Sequence, residues 1–137
     1  MVQAPLKDGA TIGEQLKYYR RINNFTQGQL ALELKTTKDM VISIENKPIG
    51  ERTFEIFKKA IEYFNIQNEI VIDDEYLLFL LNGGKKLTEI RQKYNLTQKE
   101  FNKLVNMNYN FSASIEQERT IMTRNKYNEV TKYISLK

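Results

Sequence analysis

Asp73, Asp74 and Glu75 form the densest acidic run of the chain, and paired carboxylates are the minimum equipment for general acid–base work. Little else in the sequence could join them. The chain contains no His and no Cys, which excludes Ser-His and Cys-His nucleophiles, His-ligated metals, thiolate zinc sites and disulfides. The double glycine Gly83-Gly84 is followed by Lys85-Lys86 and lacks the spacing of a phosphate-binding loop. An Asp placed directly before an apolar helix is better read as a cap that favours the helix dipole than as an acid. The expectation is a protein that is not an enzyme and that uses no cofactor and no metal.

The elements around these residues are helical. Ile12, Leu16 and Tyr19 make an i, i+4, i+7 stripe behind the candidate cap Thr11. Thr26-Gln-Gly-Gln29 reads as a capping box, followed by buried Leu30, Ala31 and Leu34. Thr37 is set to cap a third helix with Val41 and Ile44 inward, ending before Pro48. Arg52 to Phe64 reads as a fourth helix. Asn65–Asp73 reads as a connector with a β-prone stretch, Ile70-Val71-Ile72. Asp74 then caps a short helix, Glu75–Leu81, stopped by Asn82-Gly83-Gly84. A last helix from about Arg124 is expected to bury Tyr127, Val130 and Ile134.

After that stop the pattern starts again. A shift of 71 residues places Leu16 on Leu87, Arg20 on Arg91, Asn24 on Asn95 and Thr26-Gln27 on Thr97-Gln98. The same shift places Ser43-Ile44-Glu45 on Ser114-Ile115-Glu116. About two identities would arise by chance over such a span, so an internal repeat is the better explanation. The capping box recurs as Thr97-Gln-Lys-Glu100, and Asn108 stands where Thr37 does. The chain therefore reads as two small all-α modules, residues 1–66 and 84–137, joined by a connector at 67–83.

Composition agrees with a folded protein outside the membrane. The 137 residues are 41% hydrophobic, enough for a core, while the longest apolar run, Tyr76–Leu81, is far short of the ~20 residues of a membrane helix. The first residues show no apolar leader stretch, and the expected location is the cytoplasm. Lys and Arg number 21 against 17 Asp and Glu, a formal charge of +4. That balance permits a nucleic-acid partner and does not demand one.

The stretch Leu16-Lys-Tyr-Tyr-Arg-Arg, Phe25-Thr-Gln-Gly-Gln-Leu-Ala and Thr37-Lys-Asp-Met-Val-Ile-Ser-Ile-Glu-Asn resembles the XRE-type, lambda-repressor-like helix-turn-helix family. The likeness spans Thr11–Ile66. It recurs more weakly over Gly84–Ile134 through Arg91, Thr97-Gln98, Ile115 and Glu116. It implies two tandem helix-turn-helix modules of four to five short helices each. The implied function is a sequence-specific regulator of transcription, a repressor, acting on double-stranded DNA. It also implies that Arg20 pairs with Glu45, and Arg91 with Glu116, as structural ion pairs. Gln27 and Gln98, at helix starts, are expected to meet phosphates. Thr37, Lys38, Asp39, Met40, Ile42 and Ser43 are the expected major-groove set of the first module. Asn108, Tyr109, Asn110, Phe111 and Ser114 are that of the second. Lys47, Arg52, Lys85 and Lys86 are candidate phosphate contacts.

Departures from the family pattern shape the remaining expectations. The turn glycine is replaced by Lys35 and Asn106, and a Lys there is expected to alter the turn. Asn102 and Ser112 replace an inward Ala and Val, so the second recognition helix is expected to sit rotated or looser. Tyr109 and Phe111 would then be free for a protein partner. Tandem modules could act as an intrachain pseudo-dimer on two half-sites. A conventional homodimer would instead use Tyr76, Leu77, Phe79 and Leu80. The alternative function is a protein-interaction module of the same fold, an antirepressor or antitoxin-like partner. A weaker third reading, RNA stacking on Tyr109 and Phe111, lacks a recognisable RNA-binding signature.

Overall fold

Three threonines close the start of a helix in a reciprocal capping box. Thr26 Oγ1 accepts the Gln29 N–H at 3.1 Å while Gln29 Oε1 accepts the Thr26 N–H at 2.8 Å. Thr11 with Glu14, and Thr97 with Glu100, make the same reciprocal pair. The computed structural model describes residues 6–137; the leader reading of the first five residues falls outside them. Among the described residues there are nine α-helices and no strands: α1 (Ile12–Ile22), α2 (Gln27–Glu33), α3 (Lys38–Asn46), α4 (Phe54–Tyr63), α5 (Glu75–Leu81), α6 (Gly83–Lys93), α7 (Gln98–Leu104), α8 (Phe111–Glu116) and α9 (Arg124–Val130). The protein is all-α. No helix among the described residues is long and apolar enough to cross a membrane.

The chain divides into two compact units, one ending at Ile72 and the other beginning at Asp73. In the first, α3 packs on α1, α2 and α4. Leu16, Leu30, Val41, Ile44, Phe54 and Phe57 are almost fully withdrawn from solvent there. In the second, α8 packs on α6 and α7, and α5 on α6, around Tyr76, Leu77, Leu87, Phe101, Val105 and Met122.

Helix ends are as regular as helix starts. Asn24, Lys35, Asn65, Asn95, Asn106 and Glu118 all have φ between 54° and 62°. Each donates its N–H to the carbonyl three residues back, and the residue after it donates to the carbonyl five back, as in Lys35 N to Leu32 O (3.2 Å) and Thr36 N to Ala31 O (2.9 Å). This is the Schellman stop, normally given to glycine. Lys35 adopts it at φ 56° and Asn106 at φ 58°, so the two α2–α3 and α7–α8 turns match. The altered turn expected at Lys35 is not formed, because the two backbone hydrogen bonds hold the lysine in the left-handed region.

Three sequence expectations need correction. Gly83 and Gly84 do not stop a helix; they open α6, with Asn82 shared between α5 and α6. The reason is contact rather than backbone freedom: a Cβ on Gly84 would lie 2.9 Å from the Glu116 carbonyl oxygen. A Cβ on Gly13, at the matching place in α1, would lie 2.0 Å from the Glu45 carbonyl oxygen. The second correction concerns Ile70-Val71-Ile72, which forms no strand. Gln15, 3% exposed, replaces the missing neighbour: its Nε2 donates to Val71 O at 2.9 Å and its Oε1 accepts the Val71 N–H at 2.7 Å. Helix α4 also starts two residues later than expected, with Thr53 before it receiving the Gly50 N–H instead of capping the helix.

Candidate nucleic-acid interface

A buried ion pair fixes α3 against α1. Arg20 Nε lies 2.6 Å from Glu45 Oε2 and its Nη2 3.0 Å from Oε1, while Nη1 donates to Phe25 O at 2.8 Å. The two side chains are 7% and 1% exposed. Such a pair contributes geometry more than net stability, because both charges have left water and the fork allows one orientation. The second unit repeats it: Arg91 Nε and Nη2 lie 3.2 and 3.0 Å from Glu116, and Nη1 donates to Leu96 O at 3.0 Å. Here Thr88 adds a hydrogen bond of 2.6 Å to Glu116 Oε1. Burial pushes the Glu116 carboxyl up, but the bonds from Arg91, Thr88 and Gln98 and the Arg91 charge outweigh it and leave the pKa lowered. Thr88 carries no signal in the sequence, since its counterpart in the first unit is Lys17.

The two glutamines at helix starts belong to these clamps. Gln27 Nε2 donates to Glu45 Oε1 at 3.1 Å, and Gln98 lies near enough to Glu116 to help hold its pKa down. Their donors are turned inward on a carboxylate, where the sequence pattern suggests a phosphate. Both residues remain half-exposed.

With Val41 and Ile44 fully buried and Glu45 pinned, the N-terminal end of α3 is the part left outward. The Thr37 hydroxyl oxygen accepts the Met40 N–H at 3.2 Å, closing the first turn. Thr37, Lys38 and Asp39 are exposed, and Met40, Ile42 and Ser43 are half-buried. This face carries one cation, one carboxylate, two hydroxyls and two apolar tips. Lys47 and Arg52 lie exposed beyond the helix.

The corresponding face of the second unit is built differently. Asn108 Oδ1 accepts the Asn110 N–H two residues on, at 3.0 Å, which makes a turn in place of a helical cap. Helix α8 therefore begins only at Phe111 and has six residues against nine in α3. Tyr109 and Asn110 precede the helix and are exposed, Tyr109 to 85%. Phe111 is 9% exposed, which corrects its expected outward position; Ser114 is half-buried. Asn102 and Ser112, expected to loosen the helix, satisfy each other. Asn102 Oδ1 accepts both the Ser112 N–H, at 3.0 Å, and the Ser112 hydroxyl, while Asn102 Nδ2 donates to Tyr109 O at 3.0 Å. The amide thereby ties down the turn that replaces the first turn of α3.

Other sequence candidates are placed as follows. Asp74 caps α5 by accepting the Tyr76 N–H at 3.1 Å and pairs with Arg124 at 2.6 Å, a structural role. Tyr76, Leu77, Phe79 and Leu80 are buried and do not form the outward apolar face that a homodimer through them would need. Lys85 is exposed and Lys86 half-buried. No group of three or more acidic residues able to hold a metal ion is found among the described residues. Comparison with protein-family models, with curated proteins and with solved structures found no match to this chain.

Proposed function

We propose that this protein is a sequence-specific double-stranded DNA-binding regulator of transcription, a repressor, with two helix-turn-helix modules of the lambda-repressor-like kind. The observation that carries the reading is the mounting of α3. Two buried side chains, a buried Arg–Glu fork and a hydroxyl cap hold a nine-residue helix whose first two residues, Lys38 and Asp39, are exposed beside the half-buried Met40, Ile42 and Ser43. A helix presented by its N-terminal end suits the major groove. In this reading Lys38 serves a phosphate or guanine, Ser43 a base edge, and Met40 and Ile42 thymine methyls. Lys47, Arg52 and Lys85 serve phosphates. Gln27 and Gln98 act through Glu45 and Glu116, setting the pitch of the helix that follows.

A second reading, docking of a protein partner, is favoured in the second unit by the 85% exposed ring of Tyr109 on a turn held by Asn102. Mobility shifts with genomic fragments at two salt concentrations separate the two. The DNA reading expects duplex binding that weakens steeply with salt. It further expects the Lys38/Met40/Ser43 triple alanine variant to change sequence preference while staying folded. Binding that is absent at low salt, or unaltered in that variant, rejects it.

A further inference from the structure

The second unit contains a cavity of about 430 Å³, within the size range of small-molecule sites. Its apolar lining comes from Leu78, Phe79 and Leu136. Besides the exposed Asn82 amide, two polar groups open onto it without hydrogen-bond or ion-pair partners among the described residues. One is the hydroxyl of Tyr127, a residue only 8% exposed whose ring is held edge-on against Tyr76 at 5.3 Å. The other is the ammonium of half-buried Lys86. The remaining charges of the lining, Glu75 and Lys137, neutralise each other across 2.9 Å. The cavity thus presents one cation without an ion-pair partner, one phenolic donor, the exposed amide of Asn82 at its edge and an apolar lining.

We propose that this cavity binds a small amphipathic carboxylate, its anionic head between Lys86 and the Tyr127 hydroxyl and its apolar body against Leu78, Phe79 and Leu136. The Tyr127 hydroxyl is open to solvent only through the cavity it lines, and a carboxylate supplies an acceptor for it and a counter-charge for Lys86 in one group. Burial and the neighbouring carboxylates Glu75 and Asp74 raise the Tyr127 pKa, so the phenol is a donor throughout the neutral range. A cationic or purely apolar molecule of the same body would leave both groups unanswered. The proposal stands apart from the DNA reading and survives its failure.

The test is isothermal titration of the full chain with octanoate, and with octanol and octylammonium as probes of the same body. Octanoate is expected to bind saturably at one site, with octanol and octylammonium at least about tenfold weaker, the scale of one hydrogen bond to a charged group. Lys86→Met is expected to bring octanoate to the level of octanol. Tyr127→Phe is expected to weaken it severalfold, and circular dichroism verifies that each variant is folded. Absence of saturable octanoate binding, equal binding of octanol, or unchanged affinity in folded Lys86→Met overturns the proposal. Should Tyr127→Phe not fold, the Lys86 variant and the three probes decide alone.

Discussion

The α-carbon of Gly13 lies so close to the backbone of Glu45 that a methyl group there would fall 2.0 Å from the carbonyl oxygen and 2.5 Å from the carbonyl carbon. Ordinarily Gly→Ala inside a helix gains up to about 1 kcal/mol. Here α1 and α3 must separate instead, and overpacking of this kind costs about 1–3 kcal/mol or more. Gly13→Ala is expected to lower stability by at least about 3 kcal/mol in urea unfolding. Gly84→Ala, with 2.9 Å to relieve, is expected to lose less. Equal losses, or a Gly13→Ala protein as stable as the parent, would show that the crossing is soft.

Lys35 occupies the left-handed region at φ 56° on an exposed turn. An L-residue pays roughly 1–2 kcal/mol there and glycine does not. Lys35→Gly is expected to stabilise the protein by roughly 1 kcal/mol at most, since glycine's greater freedom when unfolded offsets part of the gain. Asn106→Gly should gain less, because Asn tolerates that region. A fall in the thermal midpoint of Lys35→Gly would mean that its side chain contributes something beyond the turn.

Asn102 and Ser112 form a closed polar pair where the first unit has Ala31 and Val41. Asn102→Ala leaves the buried Ser112 hydroxyl without its acceptor and is expected to cost about 1–3 kcal/mol. Adding Ser112→Val recreates the apolar pair and should recover most of the loss, giving a coupling energy of the order of 1 kcal/mol by double-mutant cycle. Additive losses in the cycle would indicate that the amide matters only through Tyr109 O.

The lowered pKa of Glu116 makes a statement about acid stability. A carboxyl whose folded pKa lies below its unfolded value stabilises the fold above the unfolded pKa. That contribution is lost as pH falls through the folded one. Unfolding free energy is therefore expected to decline as pH drops below the ordinary value of 4.5. Glu116→Gln should start lower and decline less steeply over the same range. Parallel pH profiles for parent and variant would assign the acid sensitivity to other groups.

Much of the local structure was legible because it is written in short-range chemistry. Thr26 with Gln29 and Thr97 with Glu100 announce helix starts within four residues, and the 71-residue shift aligns Arg20 with Arg91 and Glu45 with Glu116, whose pairing the family resemblance implies. The inward turn of Gln27 was not legible, since a glutamine at a helix start has the same local sequence whether it faces solvent or a carboxylate 18 residues away. Gly83-Gly84 misled for a similar reason: glycine signals a helix stop in sequence, whereas its use here depends on the Glu116 carbonyl, more than 30 positions further along. The inward placement of Phe111 depends on the late start of α8, and that follows from which backbone N–H the Asn108 side chain selects.

The bond between Gln15 and Val71 sets a minimum length for anyone dissecting the chain. The helical pattern of the first half is finished by Ile66, which makes a fragment ending there look self-sufficient. Cutting at that point would strip Gln15, buried within α1, of both its bonds to Val71 and leave its amide only the Nε2 bond to Ala10 O at 3.2 Å, with the Oε1 acceptor unanswered. The few residues from Gln67 to Ile72, which add no helix, are thus a clasp that the first unit must carry with it. Fragments ending at residues 66 and 72 should differ in folding far more than six irregular residues would suggest.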